Sequence, residues 1–482
     1  MASDILTHYP CLQGLEPADF FHWFGQISRI PHGSYKEQQL IAWLQDFAAQ
    51  RNIPCQTDAA GNLLMRIAPS EGYADQPSVL LQAHMDMVWE KDTDVEFDFA
   101  TQAIELKIQG NKLTASGTTL GSDNAVGMAT MLALADGNYP HPPLELLFTT
   151  AEEVGLVGIR KFDVKQLRSR RMINMDCGDS HVLCVSSAGK AAGSIRQSFP
   201  LSPVPQGFTG LKLEISGGLG GHGGLCANLG RCCAANAIGD LLAGLADFRL
   251  CSLSGTKAIM KAASAIIAAP AGAEEVLKAR FEIIARVYAQ TDPNIRLTVT
   301  SCELPVQAPN AADSRRMAQA LQLLRAGQWR ADGNDPRHIV TLGILSRIQL
   351  ESGEFAMDYL IRSTQGADQQ LQFERCTATV SLLGMELVLE DSYAGTPERA
   401  DSPFRDKFLR IHKDLFGTDM EIERCPGGIE TGIIVDQLPD MDAIGVAPTA
   451  RGAHTTSEYL LLDEVAPYWQ LLTAVLAEKE NA

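Results

Sequence analysis

The feature that most constrains this chain is the alternation of short apolar runs with amphipathic runs along its first part. Segments 19–30 and 37–51 carry apolar residues at helical spacing. Segments 78–84, 144–150 and 171–176 are apolar runs of the length of buried strands. This alternation predicts an α/β layout around a central sheet, in which residues just past the carboxyl ends of strands are favoured positions for chemistry.

The pattern changes between about residues 188 and 395, where a Gly-rich turn at 217–224 is followed by a separate set of helical and strand-like segments. The first pattern resumes after residue 396. We therefore predict one domain made of 1–187 plus 396–482, interrupted by an inserted α/β domain of 188–395.

Composition limits the function classes. With 45% hydrophobic residues among 482, the chain can bury sizeable cores, and its net charge of −18 argues against nucleic acid and anionic membranes as partners. The 11 cysteines show no Cys-x-x-Cys spacing, the start does not resemble a signal peptide, and no window has the length and apolarity of a membrane span. We expect a soluble cytoplasmic protein with reduced thiols.

Polar residues follow the apolar runs or occupy loops at five places: His84-Met-Asp86, Asp123, Glu152-Glu153, Asp176 and His454. Imidazole and carboxylate groups are ligands of zinc and similar divalent ions, and two ions that share a bridging carboxylate need about five such ligands. His84 and Asp86 lie on one face of an extended segment, so one can bind metal while the other orients it.

Each place also has an ordinary interpretation. A His-x-Asp pair after a strand is usually a surface pair, and adjacent glutamates often begin a solvated helix. Asp123 fits a helix N-cap, Asp176 fits a turn cap, and His454 fits any loop. Taken singly, none of these residues establishes a function.

Their order and context favour the metal interpretation. Five strings, in this order along the chain, resemble those of the cytosolic aminoacyl-histidine dipeptidases, which are carnosinase-like, peptidase D type members of the dinuclear zinc metallopeptidases: Ala83–Val88, Gly117–Met128, Thr150–Gly155, Asn174–Asp176 and Gly220–Gly224. The resemblance covers nearly the whole chain. It implies a mixed-sheet zinc-peptidase catalytic domain interrupted by an α/β lid and dimerisation domain.

The resemblance also implies a role for each polar residue. Asp123 would bridge two metal ions, His84 and Asp176 would complete one site, and Glu153 and His454 would complete the other. Asp86 would orient His84, and Glu152 would be the general base. The ions are expected to be zinc, with manganese or cobalt as alternatives that the same ligands accept.

In the inserted domain, His222 matches a lid histidine that acts across a dimer interface and polarises the scissile carbonyl. Arg362 matches a residue that grips the substrate's terminal carboxylate, and Gly428 matches a substrate-binding position. The resemblance thus implies a homodimer with a closing lid. From the residues alone, His222 could be incidental to a Gly-rich hairpin and Arg362 could belong to a surface ion pair.

The sequence departs from the resembled family at substrate-facing positions. Lys257-Ala-Ile-Met-Lys261 replaces an Asn-Ala-Ile-Pro-Arg string, Pro426 replaces a histidine, and Gly rather than Ser follows His222. We therefore expect hydrolysis of small peptides without a required preference for a carboxy-terminal histidine.

Two hypotheses remain at this stage. The first is a metal-dependent dipeptidase, and the second is a metal-binding but catalytically idle relative that serves in ligand binding or assembly. The departures in the inserted domain motivate the second hypothesis, whereas the retained Glu152 speaks against it.

Overall fold

The chain divides into two units in a computed structural model that describes residues 7–221, 223–256, 259–333, 335–336 and 338–480. Unit 1 consists of Met1–Ser187, Thr396–Cys425 and Ile429–Ala482, and unit 2 consists of Ala188–Gly395 and Pro426–Gly428. The chain leaves unit 1 after Ser187 and returns to it at Thr396, and the short segment Pro426–Gly428 belongs to unit 2.

Unit 1 is built on an eight-stranded sheet among the described residues. Its strands, in spatial order, are Cys55–Thr57, Leu63–Ile67, Leu144–Thr149, Val79–His84, Arg171–Asn174, Asp442–Gly445, Val182–Ser187 and Glu421–Cys425. The four central strands run parallel to one another, whereas antiparallel pairs lie toward both edges. The sheet is therefore mixed, as predicted.

The two central strands that were predicted as buried are buried along their whole length. Val79–His84 and Leu144–Thr149 expose no residue on either face. Covering both faces needs helices, and unit 1 supplies them at Ala18–Ser28, Gln38–Gln50, Ser122–Asp136, Pro403–Phe416, Thr431–Gln437 and Leu462–Ala477. A smaller four-stranded sheet contains Leu106–Gln109, Lys112–Ala115, Ala450–Arg451 and Tyr459–Leu461. Short 3₁₀ turns lie at Pro10–Leu12, Ile159–Lys161 and Val164–Gln166.

Unit 2 contains a nine-stranded sheet among the described residues, and every pairing in it is antiparallel. Its strands are Gly189–Ser198, Phe208–Ser216, Arg249–Thr256, Ala263–Pro270, Arg296–Cys302, Gly327–Ala331, Ile339–Glu351, Glu354–Ser363 and Val388–Tyr393. Leu201–Pro203 and Gln307–Pro309 form a separate pair. The helices are Gly223–Cys226, Ala234–Leu242, Ala273–Val287, Ala311–Leu323 and Gly366–Leu382, with a 3₁₀ turn at Ala227–Leu229.

Each unit has its own hydrophobic core. Phe24 and Phe148 are among the fully buried residues of the core of unit 1, and Ile238 and Phe355 belong to that of unit 2. The α/β fold class is confirmed. Within the described residues, no helix combines the length and apolarity needed to cross a bilayer.

The core of unit 1 can be tested at Phe24, which is 0% exposed on helix Ala18–Ser28. Phe24→Ala should lower the free energy of unfolding by about 3–5 kcal/mol, because it removes buried area and leaves a cavity. Leu382→Ala, at a side chain that is 89% exposed, should change it by less than about 0.5 kcal/mol. Guanidinium denaturation of both variants measures the difference, and equal losses would show that Phe24 is not in a packed core.

Candidate metal centre and active site

Three parallel strands bring five of the predicted residues of unit 1 to one edge of the sheet. Strand Val79–His84 lies between Leu144–Thr149 and Arg171–Asn174, and His84 pairs in register with Thr149. The segments that follow these strands carry Asp86, Glu152 with Glu153, and Asp176. This is the carboxyl end of the parallel part of the sheet, where sites in α/β folds usually lie.

Asp123 is the centre of the cluster because each of its carboxylate oxygens faces a different histidine. Its Oδ1 lies 2.9 Å from His84 Nε2, and its Oδ2 lies 3.4 Å from His454 Nε2. The two histidines hold the pKa of Asp123 far below its usual range, against the opposing effect of burial. The Asp123 carboxylate therefore lies between two groups of potential ligands, one around His84 and one around His454, as the bridging role requires. We call these groups the first and the second half-site.

The first half-site combines His84 and Asp176. His84 is 1% exposed, and its Nε2 lies 3.3 Å from Asp176 Oδ1. Burial opposes protonation of His84, but the neighbouring carboxylates outweigh it and raise its pKa well above the usual value. Burial raises the pKa of Asp176 to about 7. The ring is oriented from its other nitrogen, since Nδ1 lies 2.9 Å from the backbone oxygen of Asp86 and 3.5 Å from its carboxylate.

The second half-site combines His454 and Glu153. His454 Nε2 lies 2.8 Å from Glu153 Oε1, and hydrogen bonds to Asp123 and Glu153 raise the pKa of His454 to about 10. The imidazole is half exposed, whereas the Glu153 side chain is 5% exposed. His454 has a backbone φ of 64°, a strained value for a residue with a Cβ atom, which is often found where function fixes the backbone.

Buried carboxylates hold the turn that carries the two glutamates. Asp86 is 0% exposed, and its oxygens accept hydrogen bonds from the backbone N–H groups of Glu152 at 2.9 Å and Glu153 at 3.2 Å. Glu37 accepts one from Ala151 at 3.0 Å, where the backbone φ is 50°. Asp86 thus orients both His84 and this turn. The turn is not the start of a helix, so the ordinary interpretation of adjacent glutamates does not hold here.

Glu152 lies beside the first half-site. Its carboxylate comes within 4.8 Å of a nitrogen of His84 and an oxygen of Glu153, and it has no hydrogen-bond partner among the described residues. Burial, followed by the negative charge of Asp176, raises its pKa well above the usual value. A carboxylate with a raised pKa that is not engaged elsewhere is suited to accept and return a proton.

The donor atoms are spaced as divalent ions require. Three groups have potential ligand atoms within 4.8 Å of one another: His84 with Asp123 and Asp176, His84 with Glu152 and Glu153, and Asp123 with Glu153 and His454. The two imidazoles carry too little positive charge to balance the negative charge of the carboxylates at this edge. Divalent cations would offset the repulsion between these carboxylates. The residues present therefore fit a pair of metal ions.

A buried residue that the sequence analysis missed, Glu458, fixes the loop before Asp123. The Glu458 side chain is 3% exposed, and its Oε2 accepts hydrogen bonds from the backbone N–H groups of Leu120 and Gly121 at 2.8 and 3.0 Å. Its Oε1 accepts from the Ser122 hydroxyl at 2.5 Å and from the Asp123 N–H at 3.2 Å. More than 330 residues separate Glu458 from this loop, so no local spacing reveals the contact.

A second buried carboxylate, Glu430, was given no role from the sequence. It is 1% exposed, and burial raises its pKa to about 8. It hydrogen-bonds to Gln82 and Thr149, which belong to the two central strands.

The predicted residues of unit 2 are described within that unit alone. Arg362 lies on strand Glu354–Ser363, and its Nη1 is buried without a hydrogen-bond partner among the described residues. Gly428 lies against Tyr393, whose hydroxyl would be 2.0 Å from a Cβ atom at this position. His222 lies outside the described residues, as do Lys257 and Ala258 of the departing string.

Comparison with known proteins identifies the class. Residues 80–478 match the profile of Peptidase family M20/M25/M40. The chain belongs to this family. It is 30% identical to the cytosol non-specific dipeptidase of Escherichia coli K12 over 478 residues, which cover 97% of this chain and 99% of that protein. The predicted family and enzyme class, a peptide-bond hydrolase, are confirmed.

Solved structures agree with this assignment. The aminoacylhistidine dipeptidase of Vibrio alginolyticus superposes with a TM-score of 0.92 at 27% identity, covering 98% of this chain and 99% of that one. Aminopeptidase PepT of Bacillus cereus shares the fold, with a TM-score of 0.56 at 14% identity over 96% of this chain and 98% of its own. The M20 peptidase thus keeps the fold of this family along almost its entire length.

Glu458→Gln tests how the Asp123 loop is held. An amide offers one acceptor oxygen in place of two, so two of the four donors lose their partner at a cost of about 2–4 kcal/mol in unfolding free energy. Ser122→Ala removes one donor and leaves no buried donor unpaired, so its cost should be about 1 kcal/mol or less. Denaturation of metal-free protein measures both, and an equal cost for the two variants would contradict this role for Glu458.

Proposed function

We propose that this M20 peptidase is a two-metal dipeptidase that hydrolyses the peptide bond of small peptides. The observation that carries the proposal is the Asp123 carboxylate, which faces His84 with one oxygen and His454 with the other. A carboxylate shared in this way is suited to bridge two cations. Neither the geometry of the site nor the similarity to known proteins supports the alternative of a catalytically idle relative.

The metal ligands in this proposal are the five predicted ones. Asp123 would be shared, with His84 and Asp176 on one side and Glu153 and His454 on the other. When bound, two divalent ions would supply Lewis acidity, which lowers the pKa of a water and polarises the scissile carbonyl. Zinc is our first choice because the ligands are imidazole and carboxylate, with manganese or cobalt as alternatives.

Glu152 is the proposed general base. It accepts the proton of the attacking water and returns it to the leaving amine, which needs a carboxylate close to the half-sites but free of other partners. Asp86 acts indirectly, because it fixes the ring of His84 and the backbone of Glu152. Loss of Asp86 would therefore disturb both ligand and base.

Unit 2 would supply the contacts to the rest of the substrate. The buried Nη1 of Arg362 lacks a partner among the described residues, which supports a role in gripping the substrate's terminal carboxylate. Gly428, beside Tyr393, is the second proposed substrate contact. We further propose that the protein acts as a homodimer through unit 2, that the unit closes as a lid, and that His222 serves the partner's site.

We place the enzyme in the cytoplasm. The support is the name of the similar E. coli protein, a cytosol dipeptidase, together with the cysteines, which are all free thiols in the structure. Reducing compartments keep thiols in this state.

Glu152→Gln should abolish turnover without loss of the metals. An amide of the same size cannot accept the proton, so kcat on a dipeptide should fall by at least about 10²–10⁴-fold. Glu71→Gln, at an exposed carboxylate that is not one of the site residues, is the matched control and should leave kcat unchanged. Steady-state kinetics with metal analysis measures both effects.

Treatment of the wild type with a chelator should remove activity, and added Zn²⁺, Mn²⁺ or Co²⁺ should restore it. Activity that survives complete removal of metal, or a Glu152→Gln variant as active as the wild type, would contradict the mechanism.

Substrate breadth follows from the altered positions in unit 2. On a panel of Xaa-His, β-Ala-His and Gly-Gly dipeptides, kcat/KM should vary without a consistent advantage for carboxy-terminal histidine. The names of two similar proteins differ in the specificity that they state: the E. coli protein is a non-specific dipeptidase, and the Vibrio alginolyticus protein is an aminoacylhistidine dipeptidase. A clear preference for Xaa-His throughout the panel would overturn the idea of an altered pocket.

A further inference from the structure

A buried hydrogen-bond network lies directly beneath the first half-site. It consists of Glu430, Gln82, Thr149 and Asn174, which we call the Glu430 network, and all four side chains are 0–1% exposed. Gln82 lies two residues before His84, and Asn174 lies two residues before Asp176. Because strand side chains alternate, Gln82 points to the same side of the sheet as His84.

The network connects three neighbouring strands. The Glu430 Oε2 accepts hydrogen bonds from the Gln82 amide and from the Thr149 hydroxyl, the latter at 2.5 Å. Gln82 Nε2 also donates to Thr149 Oγ1 at 3.2 Å, and Gln82 Oε1 accepts from Asn174 Nδ2 at 2.5 Å. The side chain of Glu430 thus ties strand Val79–His84 to strand Leu144–Thr149, and Gln82, which Glu430 holds, ties it to strand Arg171–Asn174 on the other side.

From Asn174 the network reaches the half-site itself. Asn174 Oδ1 accepts a hydrogen bond from the backbone N–H of Asp176 at 3.1 Å. On the other side, Thr149 pairs in register with His84. Hydrogen bonds therefore connect Glu430, through Gln82 and Asn174, to the backbone of Asp176. They also connect Glu430 to Thr149, the strand residue that pairs with His84.

Packing alone does not explain a glutamate at position 430. Burying a carboxylate is costly, and its second oxygen, Oε1, has no hydrogen-bond partner among the described residues. An apolar side chain would fill the same space without that cost. What the glutamate provides is an acceptor for two buried donors, which fixes Gln82 and Thr149 in one arrangement.

We propose that Glu430 is a positioning residue for the His84 and Asp176 half of the metal centre. This inference rests on the proposed function, from which it takes the two metal ions. The carboxylate of Glu430 sets the relative position of the strands that present these two ligands, through Gln82, Thr149 and Asn174. Glu153 and His454 have no hydrogen bond to the network among the described residues, so the second half-site should depend on Glu430 less.

Glu430→Met tests the proposal because it keeps the volume and removes the acceptor. In a titration of the metal-free full chain with Co²⁺, followed by calorimetry and visible absorption, the wild type should show two binding steps. In the variant one step should weaken about 10–100-fold while the other is retained. Two unchanged steps, or two steps weakened equally, would overturn the proposal.

Glu430→Gln is the conservative variant. Its amide keeps one acceptor oxygen for Gln82 and Thr149, so it should restore most of the lost affinity. If Glu430→Gln loses as much affinity as Glu430→Met, the hydrogen bonds do not carry the effect and the proposal fails.

Glu145→Met is the matched control. Glu145 is a buried carboxylate on the neighbouring strand that accepts hydrogen bonds from the backbone N–H groups of Arg168 and Ser169, both at 2.9 Å. It lies at the opposite end of strand Leu144–Thr149 from the metal centre. Glu145→Met should lower thermal stability but leave both Co²⁺ steps unchanged, and a selective loss of one step in this variant would contradict the proposal.

If Glu430→Met does not fold, Thr149→Val tests the positioning role of Glu430 instead. It removes one donor to Glu430 and should weaken the same single step, by less than Glu430→Met would. No change in Thr149→Val would overturn the proposal. The Co²⁺ titration contains no peptide, so it measures metal binding independently of hydrolysis. If the protein binds both metals but does not hydrolyse dipeptides, the proposed function fails and the result of the titration still holds.

Discussion

The site depends on one physical constraint, which is the crowding of carboxylates at one edge of a buried sheet. Asp123, Glu152, Glu153 and Asp176 lie around two imidazoles, within distances at which like charges repel strongly in a protein interior. Without cations the repulsion is relieved by protons, which is why burial and neighbouring charge raise the pKa values of Glu152 and Asp176. The arrangement is suited to divalent ions that replace those protons.

The rest of unit 1 can be understood as the structure that keeps these groups in place. Parallel strands bring their carboxyl ends to one edge, and buried acidic residues then fix the loops beyond them. Asp86 and Glu37 hold the turn at Ala151, and Glu458 holds the loop before Asp123. Each of these carboxylates accepts several hydrogen bonds from backbone N–H groups, which is what makes their burial tolerable.

Much of this could be predicted from the sequence, because several of the proposed metal ligands follow apolar runs whose strand character is visible locally. His84 and Asp176 were found in that way, and the resemblance to a known family gave the roles of Asp123 and His454. Glu430 and Glu458 could not be assigned a role, since each reaches its partners across hundreds of residues and no periodicity records such contacts.

The net charge of −18 first indicated only which partners are unsuitable. The structure shows that some of that charge is concentrated at one site, so bound ions would offset part of it. The most direct test is a crystal structure of the protein grown with Zn²⁺, with anomalous difference maps at the zinc edge. We predict two peaks that share Asp123, one beside His84 and Asp176 and the other beside Glu153 and His454. A single peak, or zinc bound away from Asp123, would contradict the account.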